Sequence, residues 1–188
     1  MRNRWRHAAQ ALAISLLTSY NATAATLVHI EAAHDDGRYT LSFEVLLDAE
    51  QGKVWRQMTD YEQLPRLSEV VSQSRVVKSD GADKHRVDLT FHACILIFCK
   101  TMKKVVDIQA WPRSDIIVIG DPTLSDFSYS VERWRVFAEK SQTRLRYSAE
   151  MTPDFFIPPL IGPWLVKSFL QKEIMATAVK VEEFAGRE

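Results

Sequence analysis

Apolar and polar residues alternate through most of the chain between residues 26 and 151, and this pattern limits the fold more than any other feature. Alternation with a period of two indicates strands that bury one face. Turn-forming pairs such as Asp36-Gly37 and Asp80-Gly81 separate the alternating segments. Consecutive strands that are joined by short turns pair in antiparallel fashion. The sequence therefore predicts one large antiparallel sheet.

Eight segments are predicted as strands. They span residues 27–30, 39–47, 73–79, 85–94, 99–110, 114–120, 127–138 and 143–151. Two short helices are predicted after the second strand, one over 50–59 and one that ends near Pro65. Asp48 and Asp60 precede these helices, and we expect their carboxylates to cap the first turns.

The last segment differs from the rest because its apolar residues recur at helical spacing. Gly162 precedes Pro163, a residue that is favoured in the first turn of a helix, and Gly186 marks its end. The apolar positions are Val166, Phe169, Leu170, Ile174, Ala178, Val181 and Phe184. They predict an amphipathic helix whose apolar side covers the sheet. A sheet that curls around this helix leaves a cavity wherever the contact is loose.

The first 25 residues are typical of a secretory signal peptide. Arg2, Arg4 and Arg6 precede an apolar run over 8–17, and Ala22-Thr23-Ala24 has the spacing that signal peptidase cleaves. The run is shorter than the roughly 20 residues of a membrane-spanning helix. We expect a signal peptide over 1–25, one domain over 26–188, and export to the periplasm of a Gram-negative bacterium. An uncleaved N-terminal anchor is the alternative.

The charge balance restricts the class of partner. Lysine and arginine together number 24, as do aspartate and glutamate, so the formal net charge is zero. Nucleic-acid binding depends on positive charge that neutralises phosphates, so we expect no nucleic-acid partner. Metal, nucleotide and phosphate motifs are absent from the sequence. We therefore expect no cofactor and no metal, and we expect a monomer.

The stretch from Val54 to Pro65, VWRQMTDYEQLP, resembles the segment that follows the first core strand in the START-like superfamily. This superfamily includes the polyketide cyclase/dehydrase and coenzyme-Q-binding START families. Trp134 in a late strand and the run 158–163 before the last helix are further similarities. The resemblance implies an α+β helix-grip fold. Such a fold has a curved antiparallel sheet of about six to eight strands wrapped around a long C-terminal helix, with two short helices after the first core strand.

The resemblance also implies an internal cavity for an apolar ligand. Our leading hypothesis is a periplasmic carrier of a hydrophobic small molecule or lipid, such as a quinone. One alternative is an enzyme of cyclase, dehydratase or hydrolase type, and another is an envelope interaction module with a filled core. Large side chains on the expected inward phases are candidates to line the cavity. They are Phe91, Ile108, Trp134, Tyr147, Met151, Phe156, Leu160, Trp164 and Phe169.

We assign no catalytic residue. An enzyme would need a titratable group inside the cavity, and the candidates are Tyr129, Tyr147, Asp88 and His92. Asp88 and His92 lie four residues apart on one face of a strand and could orient a base. A solvated pair on the outer face of the sheet is the simpler explanation for them.

Cys94 and Cys99 bracket four consecutive apolar residues at the tip of a predicted hairpin. Opposite residues in a non-hydrogen-bonded pair lie about 4.5 Å apart at Cα, which is within disulfide range. Export favours oxidation of the two thiols. We predict a disulfide, and two buried free thiols are the alternative.

Turns of an antiparallel meander alternate between the two ends of the sheet, so this tip and the loop over 152–162 are expected at the same end. The residues that we expect to form the cavity mouth and to contact a membrane are Ile95, Leu96, Ile97, Phe98, Phe155 and Ile157. Lys100, Lys103 and Lys104 follow the tip and could meet anionic lipid head groups. The alternative is that the apolar residues close the end of the core.

Overall fold

The structure is a computed structural model, and it describes residues 25–158 and 161–187. The predicted signal peptide, apart from Ala25, and the predicted lining residue Leu160 lie outside these described residues.

Eight strands form one antiparallel sheet, as the alternation predicts. They are β1 (Thr26–Asp35), β2 (Arg38–Leu47), β3 (Val71–Asp80), β4 (Lys84–Ile95), β5 (Phe98–Trp111), β6 (Asp115–Gly120), β7 (Phe127–Glu139) and β8 (Gln142–Pro153). Their order across the sheet is β1-β2-β8-β7-β6-β5-β4-β3. The first strand continues well beyond its predicted end, and Asp36 and Gly37 then reverse the chain with φ angles of 44° and 77°. Positive φ at both positions is typical of the tight turns that match the twist of a hairpin.

The helices also lie where they are predicted. They are α1 (Gln51–Thr59), a 3-10 turn (Tyr61–Gln63), α2 (Leu64–Leu67) and α3 (Pro163–Gly186). The predicted caps are wrong, because Glu50 occupies the N-cap of α1 and neither Glu50 nor Asp60 makes a side-chain cap. Tertiary contacts hold α1 instead. The Gln51 side-chain amide donates to the carbonyl oxygens of Arg113 and Val136 at 2.7 and 3.0 Å.

The register of the strands defines the two faces of the sheet. Val45 pairs with Leu145, Leu145 pairs with Val136, and all three side chains are buried. Ala178 and Val181 of α3 join them in one core cluster, together with Val54 of α1. We call this side of the sheet the inner face, because the helices cover it.

A second buried cluster lies on the inner face of β4, β5 and β6. It contains Val87, Val106, Ile108 and Ile116, together with Tyr61 from the 3-10 turn. Residues of α1 and α2 pack against this cluster as well. We call these two clusters together the packed half of the inner face.

The antiparallel order brings several chain reversals to one end of the sheet. The loop after β6 lies at this end, between β5 and the segment that follows β8. Asp126 N donates to Lys103 O at 2.8 Å, and Asp154 N donates to Asp126 O at 2.9 Å. We call this region the apolar end and define it by residues 95–98, 155–158 and 161–164. As the meander predicts, the hairpin tip and the segment that leaves β8 share this end. Among the described residues, no helix is long and apolar enough to cross a membrane.

Candidate functional site

The predicted disulfide is present at the apolar end. Cys94 and Cys99 lie opposite each other in the β4–β5 ladder with their Cα atoms 4.0 Å apart, and their sulfur atoms are bonded. His92 Nε2 lies 3.7 Å from Cys94 Sγ. These three residues are the one group of three close potential metal ligands within the described ranges. Since the disulfide occupies both sulfurs, the group does not offer the two thiolates that a metal site would use.

The apolar end exposes large hydrophobic side chains. Ile97 is 88% exposed and Phe156 is 80% exposed, and Leu96, Phe98 and Trp164 are also on the surface. The remaining predicted contact residues Ile95, Phe155 and Ile157 are half-buried. Phe156 and Trp164, which we expected to line the cavity, therefore face solvent beside the predicted contact residues.

Three aromatic rings meet on the inner face of β2, β7 and β8. The Tyr147 ring centroid lies 4.3 Å from that of Trp134 and 4.9 Å from that of Phe43. Phe91 and Met151 are on the same face, and all five side chains are only half-buried. Four of the nine predicted lining residues thus lie on the inner face with surface still accessible.

Ile108 and Phe169 are placed differently. Ile108 is buried in the packed half, where Val87 and Val106 surround it. Phe169 is half-buried on α3, but it precedes Ala178 by nine residues, which is about two and a half helical turns. It therefore lies on the opposite side of α3 from the residues that reach the core. Leu170 and Ile174 lie on the same side as Ala178 and are half-buried.

A charged pair lies on the inner face close to the aromatic rings. Lys104 of β5 is 3% exposed, and its ammonium group forms an ion pair with Glu132 of β7. The other carboxylate oxygen of Glu132 accepts a hydrogen bond from the Tyr147 hydroxyl at 2.9 Å. Burial raises the pKa of Tyr147 well above its usual value, and the neighbouring Glu132 carboxylate raises it further. Tyr147 therefore stays protonated and acts as a donor.

Ser130 adds a further polar group to this region. It is 2% exposed and lies on the inner face of β7, opposite Met151. Its hydroxyl has no hydrogen-bond partner in the part of the chain that the structure describes. The backbone of Gly120 packs closely against Ser130, because a Cβ atom at Gly120 would lie 3.0 Å from Ser130 Cβ and 3.8 Å from Lys104 Cε. We call Lys104, Ser130, Glu132 and Tyr147 the polar half of the inner face.

Aromatic contacts connect the polar half to the apolar end. Lys104 Nζ lies 5.3 Å from the centre of the Phe127 ring, and Phe127 meets Phe155 edge to face at 5.8 Å. Lys100 Nζ lies 5.1 Å from the centre of the Phe155 ring. The contacts therefore run without interruption from the hairpin strand through Phe155 to the buried ion pair.

The sequence patterns described above do not reveal the positions of Lys104, Glu132 and Ser130 on the inner face. Lys104 was expected to meet lipid head groups, but its burial and its ion pair with Glu132 exclude that role. The strand phase carries a signal that could have found these residues. Lys104 alternates in phase with Val106 and Ile108, and Glu132 alternates in phase with Trp134, so charges stand where apolar residues are expected.

The outer face of the sheet is polar and solvated. Asp88 is paired there with Arg75 and Lys103, and His92 contacts Thr101, which agrees with the simpler explanation for Asp88 and His92. An open groove of about 610 Å³ also lies on this face. Its lining includes Thr40, Ser42, Tyr129, Arg133, Ser148 and Glu150.

Comparison with known proteins identifies related sequences and folds. Residues 38–182 match the model of a family described as polyketide cyclase/dehydrase and lipid transport. Among curated proteins, none matches the chain.

Three solved structures illustrate the shared fold. A STAR-related lipid transfer protein from Xanthomonas axonopodis is 14% identical, over 81% of this chain and 98% of that chain, with a TM-score of 0.61. The Zhui aromatase/cyclase from Streptomyces sp. R1128 is 14% identical, over 80% and 94%, with a TM-score of 0.63. A START superfamily protein from Mycobacterium smegmatis is 14% identical, over 79% and 97%, with a TM-score of 0.55. At these identities the likeness establishes the fold, and the predicted helix-grip architecture is confirmed.

Proposed function

Because the chain belongs to the polyketide cyclase/dehydrase and lipid transport family, we propose that it binds a hydrophobic ligand between the inner face of the sheet and α3. The family description supports a lipid or another hydrophobic small molecule as the class of ligand. One observation carries the proposal. Trp134, Tyr147 and Phe43 form an aromatic cluster on the helix-covered face, yet their side chains remain only half-buried. Large apolar side chains that stay accessible on a concave face are typical of ligand sites.

We assign six of the described residues to the apolar lining. From the sheet and from α3 these are Phe91, Trp134, Tyr147, Met151, Leu170 and Ile174. The sheet residues share the inner-face phase, and the two α3 residues lie on the same side of the helix as Ala178. Phe169 is less well placed on the opposite side of α3, and Ile108 packs within the core.

We propose that the protein acts in the periplasm as a carrier. The secretory pattern of the first 25 residues supports export. The Cys94–Cys99 disulfide at the exposed tip supports an oxidising compartment, since such bonds are rare in the cytosol.

The apolar end is proposed to be the mouth that docks on a membrane. Exposed Leu96, Ile97 and Phe156 support insertion among lipid chains, and the exposed Lys100 and Lys167 support attraction to anionic head groups. Phe156 and Trp164 belong to this contact surface. A ligand would then pass between the membrane and the inner face beside Phe155 and Phe127.

Catalysis on a hydrophobic substrate is the second candidate function. It is favoured by the interior hydrogen bond from the Tyr147 hydroxyl to Glu132, which places a donor and a carboxylate next to the aromatic cluster. The two functions are distinguished by the mass and the chromatographic retention time of a bound molecule that is recovered after prolonged incubation. Recovery of the unchanged molecule supports a carrier. Loss of water, or an isomer of equal mass with a different retention time, supports an enzyme.

Uptake of the neutral fluorophore N-phenyl-1-naphthylamine tests ligand binding. We expect saturable binding at one site, and Leu170→Asp should weaken it at least tenfold because a carboxylate would enter the apolar lining. Val179→Asp is the matched control on the same helix, since Val179 is 47% exposed and carries no lining role. Equal uptake by the wild type and a folded Leu170→Asp protein would remove α3 from the site, and no uptake by the wild type would contradict the proposal.

A further inference from the structure

We propose that the polar half of the inner face recognises a neutral hydrogen-bond-accepting oxygen, a carbonyl or hydroxyl, at one end of the hydrophobic ligand. This inference rests on the proposed function and specifies the chemistry of the ligand at the same site. It concerns Lys104, Ser130, Glu132 and Tyr147, which lie on three strands of the inner face, β5, β7 and β8.

The hydroxyl of Ser130 supports the inference. A buried polar group without a partner costs about 1–3 kcal/mol, so native proteins leave few of them. Ser130 is 2% exposed, and its Oγ has no partner among the described residues. Thr143, toward the other end of β8, shows the usual solution, because it is also buried and its hydroxyl donates to Ala49 O at 2.7 Å. The Ser130 hydroxyl is therefore available as a donor to a bound molecule.

Lys104 provides further hydrogen-bond donors beside Ser130. A lysine ammonium group has three N–H donors and no acceptor. Glu132 accepts from Lys104, and the ring of Phe127 lies 5.3 Å from the same nitrogen. Lys104 and Ser130 both border Gly120, since a Cβ at that position would lie 3.8 Å from Lys104 Cε and 3.0 Å from Ser130 Cβ. A ligand oxygen that reaches this border would accept from the Ser130 hydroxyl, and the ammonium group would be an adjacent donor.

The polar half has no net charge, and this favours a neutral ligand group. Lys104 and Glu132 together carry no net charge, and Tyr147 stays neutral because burial and Glu132 keep its hydroxyl protonated. A carboxylate ligand would be placed next to Glu132 and would leave one buried negative charge uncompensated, which is costly. A neutral oxygen avoids that cost. The site thus favours a ketone, quinone or alcohol over a fatty acid or a plain hydrocarbon.

The test uses three probes that each carry two phenyl rings on one central carbon. Benzophenone carries a carbonyl between two rings, diphenylmethane carries a methylene there, and diphenylacetate adds a carboxylate. Equilibrium dialysis against wild-type protein should show that benzophenone binds about five- to tenfold more tightly than diphenylmethane, as expected for one additional buried hydrogen bond. Diphenylacetate should bind no more tightly than diphenylmethane.

Ser130→Ala removes the donor with little change in volume, and the preference for benzophenone should fall below about twofold. Ser148→Ala is the matched control, because Ser148 is exposed on the outer face of β8, and it should keep the wild-type preference. The carbonyl stretching frequency of bound ¹³C-labelled benzophenone gives an independent readout. It should lie below its value in hexane for the wild type and return toward that value in Ser130→Ala.

The outcomes separate this inference from the proposed function. Equal binding of benzophenone and diphenylmethane would overturn the inference and leave hydrophobic binding intact. A preference that survives in Ser130→Ala would overturn the assignment to Ser130, and tight binding of diphenylacetate would overturn the neutral character of the site. Failure of the wild type to bind any of the probes would contradict the proposed function itself.

Discussion

In the packed half of the inner face, Val45, Leu47 and Leu145 meet α1 and α3 with their side chains buried, and the buried Thr143 has a hydrogen-bond partner. The polar half lies farther along the same strands, toward the apolar end, and it contains a buried ion pair and the unpartnered hydroxyl of Ser130. Both halves are covered, but among the described residues only the polar half combines an unpartnered hydroxyl with a buried ion pair. The packed half contains one unpartnered hydroxyl as well, that of Tyr61.

This difference indicates which part of the inner face stabilises the fold. Replacing a buried ion pair by apolar residues is often neutral or stabilising, because the desolvation of two charges offsets their attraction. A fold that needed only a core would gain nothing from Lys104 and Glu132 at these positions. We therefore propose that the packed half serves stability and that the polar half serves ligand binding. Substitutions in each region test that division.

The largest effect is expected in the packed half. Leu47→Ala removes a fully buried side chain and should lower the free energy of unfolding by about 2–5 kcal/mol. Urea denaturation measures this change, and N-phenyl-1-naphthylamine uptake per folded molecule should stay near the wild-type value. A loss of uptake without a loss of stability would break the proposed division.

The disulfide is expected to make the second largest contribution to the free energy of unfolding. Replacing both Cys94 and Cys99 by serine should lower the free energy of unfolding by about 2 kcal/mol, because the unfolded chain regains the freedom of a short loop. Urea denaturation of the double variant and of the wild type in dithiothreitol should agree. If the double variant is as stable as the oxidised wild type, the bridge contributes nothing to the fold.

The outer face provides a pH-dependent comparison. Burial raises the pKa of Glu44, but hydrogen bonds from Arg146 and Arg144 outweigh it and hold the pKa below its usual value of 4.5. A carboxyl group whose pKa is lowered in the folded state stabilises the protein above the unfolded pKa, and this contribution disappears as the pH falls through the folded pKa.

Glu44→Gln should therefore cost up to about 1 kcal/mol at pH 7, where partly exposed ion pairs contribute modestly. Urea denaturation at a series of pH values should show the gap between variant and wild type closing as the pH falls below about 4. A gap that is independent of pH would mean that the ion pairs of Glu44 are not its source.

The smallest effect on stability is expected at the apolar end. Ile97→Asp changes a side chain that is 88% exposed, so the free energy of unfolding should shift by no more than about 0.5 kcal/mol. Flotation with phosphatidylglycerol vesicles should nevertheless fall sharply if the apolar end docks on a membrane. Val77→Asp serves as the control, since Val77 is an exposed residue of edge strand β3. Equal flotation of the wild type and Ile97→Asp would contradict docking through the tip.

Much of the fold could be predicted because strand alternation and turn residues act locally. The turn at Asp36-Gly37, the Cys94–Cys99 pairing and the helix start at Pro163 all follow from residues close in sequence. The caps at Asp48 and Asp60 failed, since tertiary hydrogen bonds such as those of Gln51 hold α1 in place. A capping pattern describes only residues close in sequence, so it does not account for hydrogen bonds to distant parts of the chain.

The site was harder to predict than the fold. Lys104 follows Lys103 in the sequence, and two adjacent lysines usually indicate a solvated surface. The strand period sends them to opposite faces, so Lys103 is exposed while Lys104 is buried against Glu132. Phe169 likewise shares helical spacing with its apolar neighbours but lies on the opposite side of α3 from Ala178. These assignments depend on which face of its strand or helix each residue occupies, and sequence patterns indicate that face only approximately.

Native mass spectrometry of the protein purified from its native host, followed by organic extraction, tests the central claim most directly. We predict one bound hydrophobic molecule per chain with an oxygen-bearing neutral end, and its loss from Leu170→Asp but not from Val179→Asp. A ligand-free mass that persists after incubation with total membrane extract would contradict the account, because the polar half would then be a structural feature without a ligand.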